Sequence, residues 1–203
     1  MTTPTEDDIP SPNEAKRKKG IVRMKKIVQA RSEGKKLEVS WNAKGQPIEP
    51  GGAKFISYLG SIVRANVPIT YDDWKDSSLD AYKEIIWNDI QYFFGQLTFN
   101  VDTCRKTFVL RKAGLLLRSF RTSLAHKYLK DDNGDYLENP LNQPPMKFAS
   151  IISEDIWRQF IAKRMDKSFK EKSIQNKEKA LSSKYLYRGS RKGYARIEQD
   201  MVS

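Results

Sequence analysis

The sequence predicts a mainly α fold: a helical, bundle-like domain with a short N-terminal β-hairpin, a disordered acidic-then-basic N-terminal arm, and a basic C-terminal helix and tail. Three observations predict it. Apolar residues recur at three- and four-residue steps in several separate stretches, the period of a buried helical face. A short period-two alternation around residues 37–41 supplies the hairpin. Charge gathers at the two ends: residues 1–36 hold ten Lys and Arg against five Asp and Glu, residues 37–156 fourteen against fifteen, and residues 157–203 thirteen against five.

The first fifteen or so residues are acidic, contain proline and have little to bury, so they read as disordered. Lys16, Arg17, Lys18 and Lys19 follow, and the basic run continues through Arg23, Lys25, Lys26, Arg31, Lys35 and Lys36. The four-residue cluster has the form of a nuclear-import signal, although short basic runs also arise by chance. Leu37, Val39 and Trp41 alternate with Glu38 and Ser40; Asn42-Ala43-Lys44-Gly45 supplies a turn, and Pro47 and Ile48 a return strand that would cap the core. From Ala53, the residues Phe55, Leu59, Ile62 and Val63 form a helical stripe that stops before Pro68. Trp74, Leu79, Tyr82, Ile86, Ile90 and Phe93 mark a second helix, with Ser78 as its cap and Gly95 as its end.

Thr107 opens a third helix, in which Leu110, Ala113, Leu117, Phe120, Leu124 and Tyr128 share one face. Residues 131–150 are polar and proline-rich and read as a loop. Its opening Asp131-Asp132-Asn133-Gly134-Asp135 reads as a turn, because an EF-hand needs Gly at the sixth position and Glu at the twelfth, where Tyr136 and Asn142 stand. Ser153, with Glu154 and Asp155, starts a helix carrying Trp157, Phe160, Ile161 and Met165. Ser168-Phe169-Lys170-Glu171 has capping-box form for a last, basic helix. The chain thus divides into an arm (1–36), a helical core with its hairpin (37–130), a proline-rich loop (131–150), and a basic helical segment and tail (151–203).

Composition excludes several function classes. Cys104 is the only cysteine, so neither an intrachain disulfide nor a cysteine-based zinc site can form, which fits a reducing compartment. No apolar run reaches the length of a membrane span, and the first residues lack the apolar stretch of a secretory signal; the chain reads as a soluble intracellular protein. His126 is the only histidine and falls opposite the apolar stripe of its helix. With no phosphate loop, nucleophile elbow or Cys/His cluster, the expectation is a protein that is not an enzyme and has no catalytic residue, metal or cofactor.

Binding is the better expectation, since a net charge of +12 gathered in arms favours polyanions through counterion release. Charge alone is equally compatible with solvated, highly charged helices. On the third helix, Arg111, Arg118 and Thr122 run along one flank of the apolar stripe, with Arg121 beside them. A helix in a DNA groove needs that arrangement, and any amphipathic surface helix also shows it. In the C-terminal segment Gly189 and Gly193 would let backbone approach phosphates, Arg188, Arg191, Lys192 and Arg196 supply charge, and Tyr185, Tyr187 and Tyr194 could stack. A basic tail whose tyrosines pack on the core has the same composition.

The order of Gly34-Lys35-Lys36-Leu37-Glu38-Val39, Trp41, Gly45-Gln46-Pro47, Val67-Pro68-Ile69 and Trp74 resembles the plant transposase-related family labelled Ptta/En/Spm. The resemblance continues through Trp87, the third helix, Trp157, Phe160, Ser168-Phe169 and Ser190-Arg191-Lys192-Gly193-Tyr194-Ala195, covering roughly residues 20–200. It implies a transposon-encoded or transposon-derived protein, nuclear and DNA-associated, without catalysis of its own. Its implied partners are DNA and other transposon-encoded or host nuclear proteins. The alternative is a module that assembles such proteins by protein contacts.

Overall fold

The structure, a computed structural model, describes residues 33, 35–93, 96, 97, 99–182, 199 and 201. The expected acidic-then-basic arm, with Lys16, Arg17, Lys18 and Lys19, lies almost wholly outside the described residues, as do Arg188, Arg191, Lys192 and Arg196. The protein is mainly helical. Strands β1 (Ser40–Trp41) and β2 (Pro47–Ile48) precede α1 (Gly52–Asn66) and α2 (Asp80–Gln91). After β3 (Tyr92–Phe93) and β4 (Gln96–Leu97) come α3 (Lys106–Tyr128), α4 (Glu154–Met165) and α5 (Lys167–Leu181).

The β1–β2 hairpin pairs Ser40 with Ile48 and Trp41 with Pro47. Asn42 holds its turn by accepting the Gln46 amide on Oδ1 at 2.8 Å, and Val39 just before it is buried in the core. The chain enters α1 through Gly51 at φ 93°, where a Cβ would run into the Glu38 carbonyl, so only glycine fits. The Glu49 carboxylate accepts from the amides of Gly51 and Ala53 and so serves the open helix start. Val67, extended ahead of Pro68, ends α1 where the sequence places the stop. Far along the chain, Gln199 brackets Glu49, accepting its amide at 3.1 Å and donating to its carbonyl at 2.8 Å.

Helix starts differ from expectation in three places. Asp76 accepts from the Ser78 amide and hydroxyl, so Ser78 is not the cap; it lies within a 3-10 turn (Ser77–Leu79) that leads into α2. Asp102 accepts from the Cys104 amide at 2.8 Å ahead of a second 3-10 turn (Thr103–Arg105), which leaves Thr107 inside α3. Asp166 accepts from the Phe169 amide and the Ser168 hydroxyl, capping α5 in place of Ser168. The physical reason is common to all: a carboxylate two to five residues upstream outcompetes a hydroxyl as acceptor for the first free amides. Ser153 does cap α4, accepting from the Ile156 amide. The second helix ends at Gln91, ahead of Phe93, because residues 92–93 turn into the β3–β4 pair.

Two hydrophobic clusters result. The first joins α1, α2 and the first half of α3, centred on Phe55, Leu59, Val63, Ile86, Ile90 and Val109. Phe55 meets Trp41 and Phe99 edge-on at 5.6 and 5.3 Å. The second joins the last turns of α3 to α4 through Phe120, Leu124, Leu129, Trp157 and Phe160. Each such side chain contributes about 1.5–3 kcal/mol on burial. Trp157 donates its Nε1–H to the Leu141 carbonyl at 2.9 Å, which pins the 131–150 loop to the second cluster. That loop opens with the expected turn: Gly134 has φ 88° and Asp135 is held by Asp131. α5 buries no residue. No helix among the described residues is long and apolar enough to cross a membrane.

Candidate nucleic-acid interface

A groove of about 920 Å³ opens where three elements meet: the outer flank of α3, the end of α4 with the start of α5, and the Tyr71–Lys75 segment between α1 and α2. The seven-residue spacing of Arg111 and Arg118 puts both guanidinium groups on one side of α3, where they are exposed and line this groove. Trp74 closes one wall. It lies so close to α3 that a Cβ on Gly114 would stand 2.7 Å from its ring, so the bare glycine sets how near the wall comes.

Arg121 lines the groove too, but it is only 6% exposed and is ion-paired with Asp72. Its guanidinium is committed to that carboxylate, which makes it a structural strut at the edge of the groove. Asp72 also meets Lys163 at 3.6 Å, and Lys163 donates to the Thr70 carbonyl at 2.7 Å. These contacts tie the Tyr71–Lys75 segment to the last turn of α4. Burial pushes the Arg121 guanidinium down from its ordinary range; Asp72 opposes the shift and Arg118 adds to it.

Arg164 is the residue that sequence reasoning missed. It is 9% exposed, and its charge lies over the Phe160 ring at 4.9 Å and the Phe169 ring at 4.4 Å. No carboxylate lies within ion-pairing distance of it among the described residues, and its buried Nε has no hydrogen-bond acceptor, a property it shares with the Nε of Arg121. Burial lowers its pKa, and the neighbouring charge of Arg121 lowers it further. Both groups nonetheless stay protonated at any physiological pH. A signal for Arg164 was present in the sequence: it falls three and seven residues after Ile161 and Trp157, on the apolar stripe itself.

The carboxylates of the groove are already engaged. Asp72 serves Arg121 and Lys163, Asp73 accepts the Lys75 amide, and Asp166 caps α5. Arg111, Arg118, Arg164, Lys75 and Lys172 therefore face the same space without an ion-pair partner among the described residues. Such a surface can hold several phosphates, with Trp74 and Tyr71 as flanking rings. Among the described residues no three His, Cys, Asp or Glu side chains are placed to hold a metal ion, and His126 is exposed. Compared with protein-family models, with curated proteins and with solved structures, the chain matches none.

Proposed function

We propose that the protein is a non-catalytic nucleic-acid-binding protein, transposon-derived and nuclear, that holds DNA by its phosphate backbone. The observation that carries this reading is the surplus of unpaired cations along one groove: Arg111 and Arg118 of α3, Arg164 of α4, and Lys75 and Lys172. The basic sequence at both ends, including Lys16–Lys19 and Arg188, Arg191, Lys192 and Arg196, adds to the same field. Contacts of this kind give affinity with little sequence discrimination; specificity requires groups that reach base edges.

The test is anisotropy of labelled duplex DNA, terminal-repeat and scrambled, across a salt series. The double variant Arg111→Gln, Arg118→Gln should weaken binding to both and flatten the slope of log affinity against log salt by about two units, one for each lost contact. Unchanged affinity and slope would remove the groove from the reading.

A second reading, a module that assembles transposon-encoded or host nuclear proteins, is favoured by Ile174 and Leu181. They stand 58% and 73% exposed, seven residues apart on a helix that buries nothing. It predicts complexes that survive nuclease digestion.

A further inference from the structure

We infer that Arg164 anchors a discrete phosphate-binding site within the groove, in which one phosphate group is held by Arg164 and flanked by Arg118 and Lys172. The inference rests on the nucleic-acid reading only for where that phosphate comes from. The protein has buried the Nε of this guanidinium without an acceptor, on a side chain that lines the open groove. An enclosed charge with no counter-ion is a standing cost, and natural folds keep such groups where something answers them.

The alternative, that the two phenylalanine rings suffice, does not account for the surroundings. Rings 4.9 and 4.4 Å from the charge offset part of its desolvation, yet they accept none of its N–H groups. They also hold the group in place, so a ligand would bind it without the entropy loss that a loose arginine carries. Arg118, Arg121 and Arg164 form a chain in which each charge is felt by the next, and the carboxylates near them are engaged: Asp72 is shared between Arg121 and Lys163, and Asp166 caps α5. A phosphate group fits this deficit. It brings one negative charge as a backbone diester, or up to two as a free phosphate, and several acceptor oxygens, two of which an arginine edge can bind in parallel.

The experiment uses the full chain and follows thermal unfolding with inorganic phosphate against chloride at matched ionic strength. Phosphate should raise the midpoint of the native protein more than chloride does. Arg164→Met keeps the unbranched apolar stem as far as the position of Nε and removes the charge. It should leave the midpoint in chloride unchanged or higher, and weaken phosphate binding about ten- to a hundredfold. Arg118→Gln, a surface change without folding consequence, should weaken the same response less.

A native protein that does not distinguish phosphate from chloride, or an Arg164→Met variant that responds as the native does, overturns the site. Should Arg164→Met fail to fold, an Arg118→Gln response equal to the native one overturns it in its place. DNA binding separates the inference from the reading beneath it. If native protein binds DNA and Arg164→Met binds it equally well, the phosphate site is wrong and the nucleic-acid reading stands. If phosphate stabilises the native protein through Arg164 while duplex and single-stranded DNA do not bind, the site stands, its phosphate belongs to a small molecule, and the nucleic-acid reading falls.

Discussion

The two hydrophobic clusters treat buried polar groups in opposite ways. Around α1 the enclosed side chains are apolar, and the polar groups at their margin are answered: the Tyr58 hydroxyl donates to Asp89 at 2.9 Å, and Gln91 donates to the Val101 carbonyl at 3.2 Å. Around α4 two arginines are enclosed, and both keep a buried Nε without an acceptor. The first arrangement is what stability alone would select. The second gives up stability on the face that borders the cationic groove, and local violations of packing rules are where function is to be sought.

The largest effect should come from breaking either cluster at its centre. Phe55 and Trp157 are 0% and 1% exposed. Replacing either by Ala should cost about 3–5 kcal/mol in urea unfolding. Because α3 contributes Val109 and Ala113 to one cluster and Phe120 and Leu124 to the other, both variants should unfold in one transition at a lowered midpoint. Two transitions in Trp157→Ala, with the first cluster melting unchanged, would make the clusters independent units.

A smaller effect separates the two arginines. Asp72→Asn keeps the shape of the side chain and removes the charge that answers Arg121 and Lys163, so Arg121 becomes as uncompensated as Arg164 already is. Breaking a fully buried pair costs about 3–5 kcal/mol; with Asp72 half exposed to water the expected loss is about 1–2 kcal/mol. The same variant adds positive charge to the groove and should tighten DNA binding at low salt. A variant with native stability would mean that Arg121 never depended on its partner.

Much of this organisation was legible in the sequence, because it is local. The β1–β2 hairpin, the stripe of α1 and its stop before Pro68, and the cap of α4 by Ser153 depend on spacing and turn chemistry within a few residues. The capping role of Asp76, Asp102 and Asp166 is not legible in spacing, because a hydroxyl two to five residues further on fits the same local pattern and only the folded turn decides which oxygen meets the free amides. Arg111 and Arg118 were legible as a flank of α3. Arg121 follows Phe120 directly, and only the tertiary approach of Asp72 decides that it is buried and paired. The groove combines residues from about 70 to beyond 170, a meeting that no local pattern encodes.

The smallest prediction concerns the cap at the groove edge. The Ser168 hydroxyl and the Phe169 amide hold the Asp166 carboxyl below the usual carboxylate range. Its folded value lies beneath the unfolded one, so its contribution is complete above about pH 4 and fades as the pH falls further, through the folded value. Since α5 buries nothing, that contribution is local. Asp166→Ala should lower the far-ultraviolet helix signal slightly at neutral pH and remove part of its fall on acidification, while the tryptophan-monitored melt of the two clusters stays in place. The variant also takes a negative charge from beside Arg164 and Lys172, so the phosphate response should strengthen even as the helix start weakens. A phosphate response that weakens together with the helix would mean that the site depends on the geometry of the α5 start more than on the balance of charge, and would move its centre from Arg164 toward Ser168 and Phe169.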